Sequence, residues 1–266
     1  MKKTLQILNG ITLVSVVVIN YLSNTGKMNN TTIGEVSGGL TTMFTPAGYA
    51  FSIWGIIYLF LLGFVIYQGR GLFVRVKDDD FVLKTGVWFI VSNLANAAWV
   101  FCWIYGYTAW SVVCIFLLLV SLLKIVMNNN MERWDAPLPV IAFLWWPFVI
   151  YSGWVTVASI ANVSAWLYKM NWDGLGIGDM TWTIMMIVVA GIINFWITWT
   201  RNMREFALVG AWALVAIAVA NWESNNAVKI SALAVAAVLF ISSSYHGYIN
   251  RATSPIEKLK ELRSQK

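Results

Sequence analysis

Apolar positions run along this chain in long, nearly unbroken stretches rather than in alternation. Stretches of helix-spanning length fall at about 5–22, 47–68, 86–105, 109–127, 137–164, 180–199, 205–222 and 228–249. A helix needs ~20 apolar residues to cross a bilayer. The period-2 alternation of an outer-membrane barrel strand is missing, so the pattern predicts an all-α, polytopic bundle of eight transmembrane helices.

Polar residues are distributed within these stretches in an informative way. No Asp, Glu, Lys or Arg lies near the centre of any stretch, and Lys124, Glu205 and Glu223 sit at helix ends, where long side chains reach water. A proton relay or a carboxylate-coupled pump is therefore not expected. What the stretches do contain is Asn, Ser and Thr beside aromatic rings. Ser92, Asn96, Trp99 and Trp103 recur at i, i+4, i+7 and i+11, along one helical face. In the fifth stretch Tyr151, Trp154 or Val155, and Ser159 share a face, with Thr156 and Asn162 close by. Two readings stay open: hydrogen-bonded contacts between helices, or a ring-lined pocket with a few polar groups. Stacking area of this kind suits a flat conjugated ligand.

Composition supports the membrane reading. The chain is 59% hydrophobic and 11% charged, with mean hydropathy +0.69, against ~45–50% and ~25% in an ordinary soluble domain. Its sixteen Trp exceed what two interfacial belts require. The stretch TPAGYAFSIWGIIY at 45–58 crowds Tyr49, Phe51, Trp54 and Tyr58 at the entry to the second apolar segment.

The net charge of +6 is a topology signal, not a nucleic-acid footprint. With the N-terminus in the cytoplasm, inner loops collect Lys2, Lys3, Arg70, Arg75, Lys77, Lys84, Lys124, Arg133, Arg201, Arg204, Arg251, Lys258, Lys260, Arg263 and Lys266, while Lys27, Lys169 and Lys229 remain outside. Fifteen against three predicts both termini in the cytoplasm. The basic start MKKTLQILNGITLVSVVVINYLS has the outline of a signal peptide, but no small-x-small site follows it, and an uncleaved first helix is expected. The tail PIEKLKELRSQK reads as a basic helix end near headgroups.

Other motifs carry little chemistry. Cys102 and Cys114 lie in apolar segments and are read as packing residues. His246 has no companion His, Asp or Cys. Asp78, Asp79 and Asp80 form a solvated turn among Arg75, Lys77 and Lys84. GLGIGD at 174–179 lacks a phosphate-loop Lys and reads as an outer loop. The sequons at Asn29 and Asn30 matter only on a glycosylated face. No catalytic residue and no metal site is expected.

Three stretches together resemble the tryptophan-rich sensory protein (TspO) and translocator protein family. FTPAGYAFSIWGIIYLFLLG at 44–63 is similar to the family's W-x-P-P-x-W turn and P-x-W-x-x-x-Y helix, with Pro46, Gly48, Trp54, Tyr58 and Gly63 in place. Phe44, Ala47 and Tyr49 stand where the family has Trp, Pro and Trp, and one residue fewer separates Gly48 from Trp54. Asn96 to Trp99, with Gly106 beyond, resembles the N-x-x-W helix. WWPFVIYSGWVTVAS resembles the P-Y-x-x-W-x-x-F-A-T-x-L-N stretch through Pro147, Tyr151, Trp154, Val155, Thr156 and Ser159.

The resemblance implies a five-helix unit at 1–166, followed by a three-helix extension at 167–250 and a basic tail at 251–266. It implies a cavity under the first loop for a tetrapyrrole or sterol-like ligand, lined by Pro46, Tyr49, Trp54, Asn96, Trp99, Tyr151, Trp154 and Ser159, with Tyr58 and Trp103 on the same faces. Tyr151 for a Trp and Val155 for a small residue alter the wall against which a macrocycle would stack. A homodimer in a bacterial cytoplasmic membrane is further implied, with a porphyrin or heme-like molecule as a possible ligand and no cofactor required. The functional expectation is a receptor or carrier for an apolar planar molecule in the lipid bilayer. A secondary transporter of a small apolar molecule and an intramembrane enzyme acting on a bound pigment are the alternatives.

Overall fold

Eight long helices account for the eight apolar stretches, and no strand occurs among the described residues. The computed structural model describes residues 1–40, 42–76 and 79–264, with the backbone alone at Thr253, Glu261 and Leu262. Lys77 and Asp78 of the charged turn, and Lys266 of the tail, lie outside the described residues. The helices are α1 (Lys2–Asn24), α2 (Ile53–Gly69), α3 (Trp88–Ile104), α4 (Thr108–Asn128), α5 (Leu138–Lys169), α6 (Asp179–Arg201), α7 (Arg204–Ala220) and α8 (Asn226–Ile249).

Six of them are long and apolar enough to cross a membrane, α2 with its flanking 3-10 turns counting as Gly48–Leu72. The other two, α3 and α7, have 17 residues each, so the expected eight spans are matched as helices and six of them by length and composition. Tight turns shorten both. Gly106 at φ +75° closes α3 into α4, and Asn202 at φ +61° closes α6 into α7.

The exterior of the bundle is apolar, and its interior combines apolar side chains with groups that hydrogen-bond. On α1 the residues turned inward are Gln6, Asn9, Asn20 and Ser23 together with Leu5, Leu13 and Val16, whereas Ile7, Ile11, Val14 and Val18 face out. Leu59, Ile66, Leu94, Val113, Ile192, Trp196, Phe240 and Ile241 continue the apolar exterior around the bundle. Many of the side chains that can hydrogen-bond are thus turned inward, where Asn9 donates to Gln68 at 2.9 Å and Asn20 to Asn96 at 2.9 Å, away from a hydrocarbon surrounding.

Helix α5 occupies the centre: 72% of its apolar window is buried, against 28–39% in the other five spans. After one short α-helical segment, Leu138–Val140, it carries a π-helical turn at Ile141–Trp145 that ends two residues before Pro147. Pro147 lacks a backbone donor, and the wider turn absorbs that loss. Helix α7 lies directly on α5, where Gly153 leaves its Cβ position 2.8 Å from the Phe206 carbonyl oxygen. No larger residue permits that approach. A boundary at 166 falls inside the last turns of α5.

The connections gather at two ends. At one end Lys2 pairs with Asp79, Lys258 pairs with Asp135 at 2.8 Å, and Arg133 donates to the Thr200 carbonyl at 2.5 Å. The start of α1, the tail helix at Pro255–Ser264 and the α2–α3, α4–α5 and α6–α7 connections therefore share this end. At the other end Asn29 donates to the Ile104 carbonyl at 3.1 Å, Lys169 to the Gly106 carbonyl at 2.5 Å, and Asn221 to the Met43 carbonyl at 2.8 Å.

Candidate functional site

The connection from α1 to α2 folds over the second of these ends as a lid. Thr32 caps a short helix at Ile33–Gly39 through a reciprocal pair with Glu35. The chain then turns through Pro46 into a 3-10 turn, Gly48–Ser52, that leads into α2. Helix α7 anchors this lid: Ala47 N–H donates to the Ala216 carbonyl at 3.0 Å, and the Trp212 indole to the Ala50 carbonyl at 3.4 Å.

Beneath the lid Trp54 of α2 is the hub of an aromatic cluster. Its ring centroid lies 5.6 Å from Tyr58, 6.2 Å from Trp99, 5.6 Å from Tyr151 and 6.3 Å from Trp154. Trp99 stacks on Trp103 at 5.8 Å, and Phe51 meets Trp154 edge-on at 6.0 Å. Edge-to-face and offset contacts at such distances add ~0.5–1.5 kcal/mol each beyond area burial.

The rings enclose a cavity whose water-accessible space is about 40 Å³. Its lining comes from the lid (Ser37, Leu40, Thr45, Pro46, Phe51), α2 (Trp54), α3 (Trp99, Trp103), α5 (Trp154, Val157, Ala158, Ala161, Asn162, Ala165) and α7 (Ala213). The space holds a few waters and is far below the several hundred Å³ of a drug-sized site. The Trp54 and Trp154 indole nitrogens are buried here without a hydrogen-bond partner. Buried N–H groups of this kind ordinarily find an acceptor.

Of the ten expected site residues, Pro46, Trp54, Trp99, Trp103 and Trp154 line this cavity. Tyr58 stacks behind Trp54. Asn96 and Tyr151 sit one layer deeper in a chain of bonds: Asn20 Nδ2 donates to Asn96 Oδ1 at 2.9 Å, and Asn96 Nδ2 to the Tyr151 hydroxyl at 2.5 Å. Ser159 is buried and bonds back to the Val155 carbonyl at 2.7 Å. Tyr49 turns away, half exposed, and packs edge-on against Trp212 at 5.2 Å. Sequence reasoning missed the small wall of Ala158, Ala161 and Ala165, spaced i, i+3 and i+7 on α5, and missed Asn162 as a lining residue.

A polytopic helical membrane protein with a tryptophan-lined cavity under its first loop is the class that this arrangement defines. The family model for TSPO-like protein matches residues 6–245, and the chain belongs to that family. The match runs through α6 and α7 and most of α8. Neither the curated proteins nor the solved structures contain a match.

Proposed function

We propose that the chain is an integral membrane receptor or carrier that binds an apolar, planar molecule of the tetrapyrrole or sterol-like kind beneath the α1–α2 lid. The observation that carries this reading is the cavity itself: four tryptophans converge on it, and two of them present buried indole N–H groups with no acceptor. A flat ligand with acceptor atoms at its rim supplies both stacking and the missing bonds. At its present volume the cavity admits such a molecule only if the lid lifts, and the lid is held by few bonds to α7. All eight helices cross the bilayer in this reading, since α3 and α7 at 17 residues reach the lower end of spanning length. Both termini are cytoplasmic in this reading, which the excess of Lys and Arg in the loops at their end supports.

Titration of the purified protein with protoporphyrin tests the reading through tryptophan emission. Saturable quenching, weakened in Trp99→Phe, is the expected result. Unsaturable quenching that tracks detergent partitioning would remove the proposal.

A secondary transporter is the second reading, favoured by the π-helical turn at Ile141–Trp145 and the 3-10 entry at Gly48–Ser52. Interrupted helices mark substrate paths in several transporter folds. Proteoliposomes that concentrate a porphyrin against a gradient would decide for it over simple binding.

A further inference from the structure

At the end of the bundle opposite the lid, the segment 129–137, the π turn of α5, the start of α7 and the end of α8 enclose a second, polar pocket of about 290 Å³. We propose that this pocket binds a small primary ammonium compound carrying an acceptor oxygen, of the amino-alcohol kind, with Glu132 and Glu205 receiving the ammonium group. The site is separate from the aromatic cavity and stands or falls independently of it.

Glu132 is the central observation. Its backbone takes the left-handed conformation, φ +60°, uncommon for a residue with a Cβ. The segment is pinned in this shape by Asn202, whose Nδ2 donates to the Glu132 carbonyl at 2.8 Å, and by Arg133 on the Thr200 carbonyl. The result drives the Glu132 side chain inward, to 8% exposure, with Oε1 buried and without a hydrogen-bond partner. Glu205, on the facing turn of α7, accepts the Trp146 indole N–H on Oε1 at 3.2 Å and leaves Oε2 buried and unbonded. Trp145, 3% exposed, adds a third orphan, its indole N–H. All three residues line the pocket.

Three residues that carry unpartnered polar atoms, two carboxyl oxygens and one indole N–H, thus border one space. A buried carboxyl oxygen without a partner is destabilising, and neither Glu takes part in an ion pair among the described residues. An ammonium group satisfies both oxygens through charge-assisted bonds, and a neighbouring ligand oxygen accepts from Trp145. A metal ion fits less well. No group of three or more His, Cys, Asp or Glu is placed to hold one among the described residues, and the indole N–H cannot act as a ligand. An anion would meet the carboxylates, although Arg133 and Arg204 stand in the wall. Burial and Glu205 raise the Glu132 carboxyl to about 8, against the opposing influence of Arg204, so in the empty pocket it holds a proton at neutral pH and gives that proton up when the ammonium group binds. Arg133, Asp135 and Asn202 at the rim are exposed and give the pocket a path to water.

Isothermal titration of the full chain in detergent with ethanolammonium tests the assignment. Saturable binding is expected, weakened at least about tenfold in Glu132→Gln, the loss equivalent to one charge-assisted bond. Tetramethylammonium, which has the charge without N–H groups, should bind about tenfold more weakly than ethanolammonium to the wild type. That comparison needs no variant and stands even where Glu132→Gln fails to fold. Absence of saturable binding, equal binding of tetramethylammonium, tighter binding of propionate, or undiminished binding by a folded Glu132→Gln would each overturn the proposal.

Discussion

Trp99 donates its indole N–H to Asn162 Oδ1 at 2.8 Å, and Asn162 in turn donates its side-chain amide to Ser111 Oγ at 2.8 Å. Three helices, α3, α5 and α4, are thereby joined by one buried amide at the edge of the aromatic cavity. Asn162 is 2% exposed, so either lost partner leaves a polar atom without water. Trp99→Phe keeps most of the ring area and removes the donor. It should lower stability by ~1–2 kcal/mol, read from reversible unfolding in mixed micelles. Ser111→Ala should cost a similar amount through the other end of the same amide, and the double variant less than the sum, because both act on one side chain.

The contact between Gly153 and Phe206 makes a sharper demand. A Cβ at Gly153 would stand 2.8 Å from the Phe206 carbonyl oxygen and 3.1 Å from its Cα, both backbone atoms that no rotamer change can move. Gly153→Ala should therefore push α7 away from α5, at a cost of ~1–3 kcal/mol. Gly55→Ala, on α2 with no atom within 4 Å of the added carbon, should be neutral or stabilising by about 0.4–1 kcal/mol. Equal thermal midpoints for the two variants would contradict the proposed closeness of α5 and α7.

Much of this arrangement was legible in the sequence because hydrocarbon surroundings leave few options. Unbroken apolar runs locate all eight helices, and the spacing of Ser92, Asn96, Trp99 and Trp103 places them on one face, where the structure buries all four. The division of labour on that face was not legible. Asn96 meets Asn20 and Tyr151, while Trp99 meets Asn162, partners 55 to 76 residues away that periodicity cannot name. Tyr49 stands where the motif has a Trp, yet it faces Trp212, because α7 supports the lid and draws that ring outward. Glu205 read as an ordinary helix end, and only the left-handed turn at Glu132 brings a second carboxylate toward it.

That pair of carboxylates gives stability a predictable dependence on pH. The Glu132 carboxyl is raised from 4.5 to about 8, by burial first and by Glu205 second, with Arg204 opposing. Between these values the folded state holds a proton that the unfolded state has released, so stability falls as pH rises. The stabilising contribution of the protonated form is complete below the unfolded value and gone above the folded one. Wild-type protein should unfold more readily at pH 8 than at pH 5, and Glu132→Gln should flatten that slope. An unchanged slope in the variant would assign the dependence to other groups.

The small wall of α5 offers the most direct way to separate a ligand site from a packed interior. Ala158, Ala161 and Ala165 border about 40 Å³ of space beside Trp99 and Trp103. Ala161→Leu adds three carbons toward that space. Because part of the volume is already vacant, the cost should stay at or below the ~1–3 kcal/mol of ordinary overpacking. The same change removes the room into which a planar ligand would enter once the lid lifts. Saturable quenching by protoporphyrin should then fall by at least about tenfold, a loss of ~1.4 kcal/mol in binding, while helix content is preserved. Trp103→Ala acts in the opposite sense. It enlarges the cavity and destabilises the fold by ~3–5 kcal/mol, and added porphyrin should recover part of that loss through preferential binding to the folded state. If Ala161→Leu retains full quenching, the porphyrin binds elsewhere on the protein, and the tryptophans beneath the lid serve packing alone.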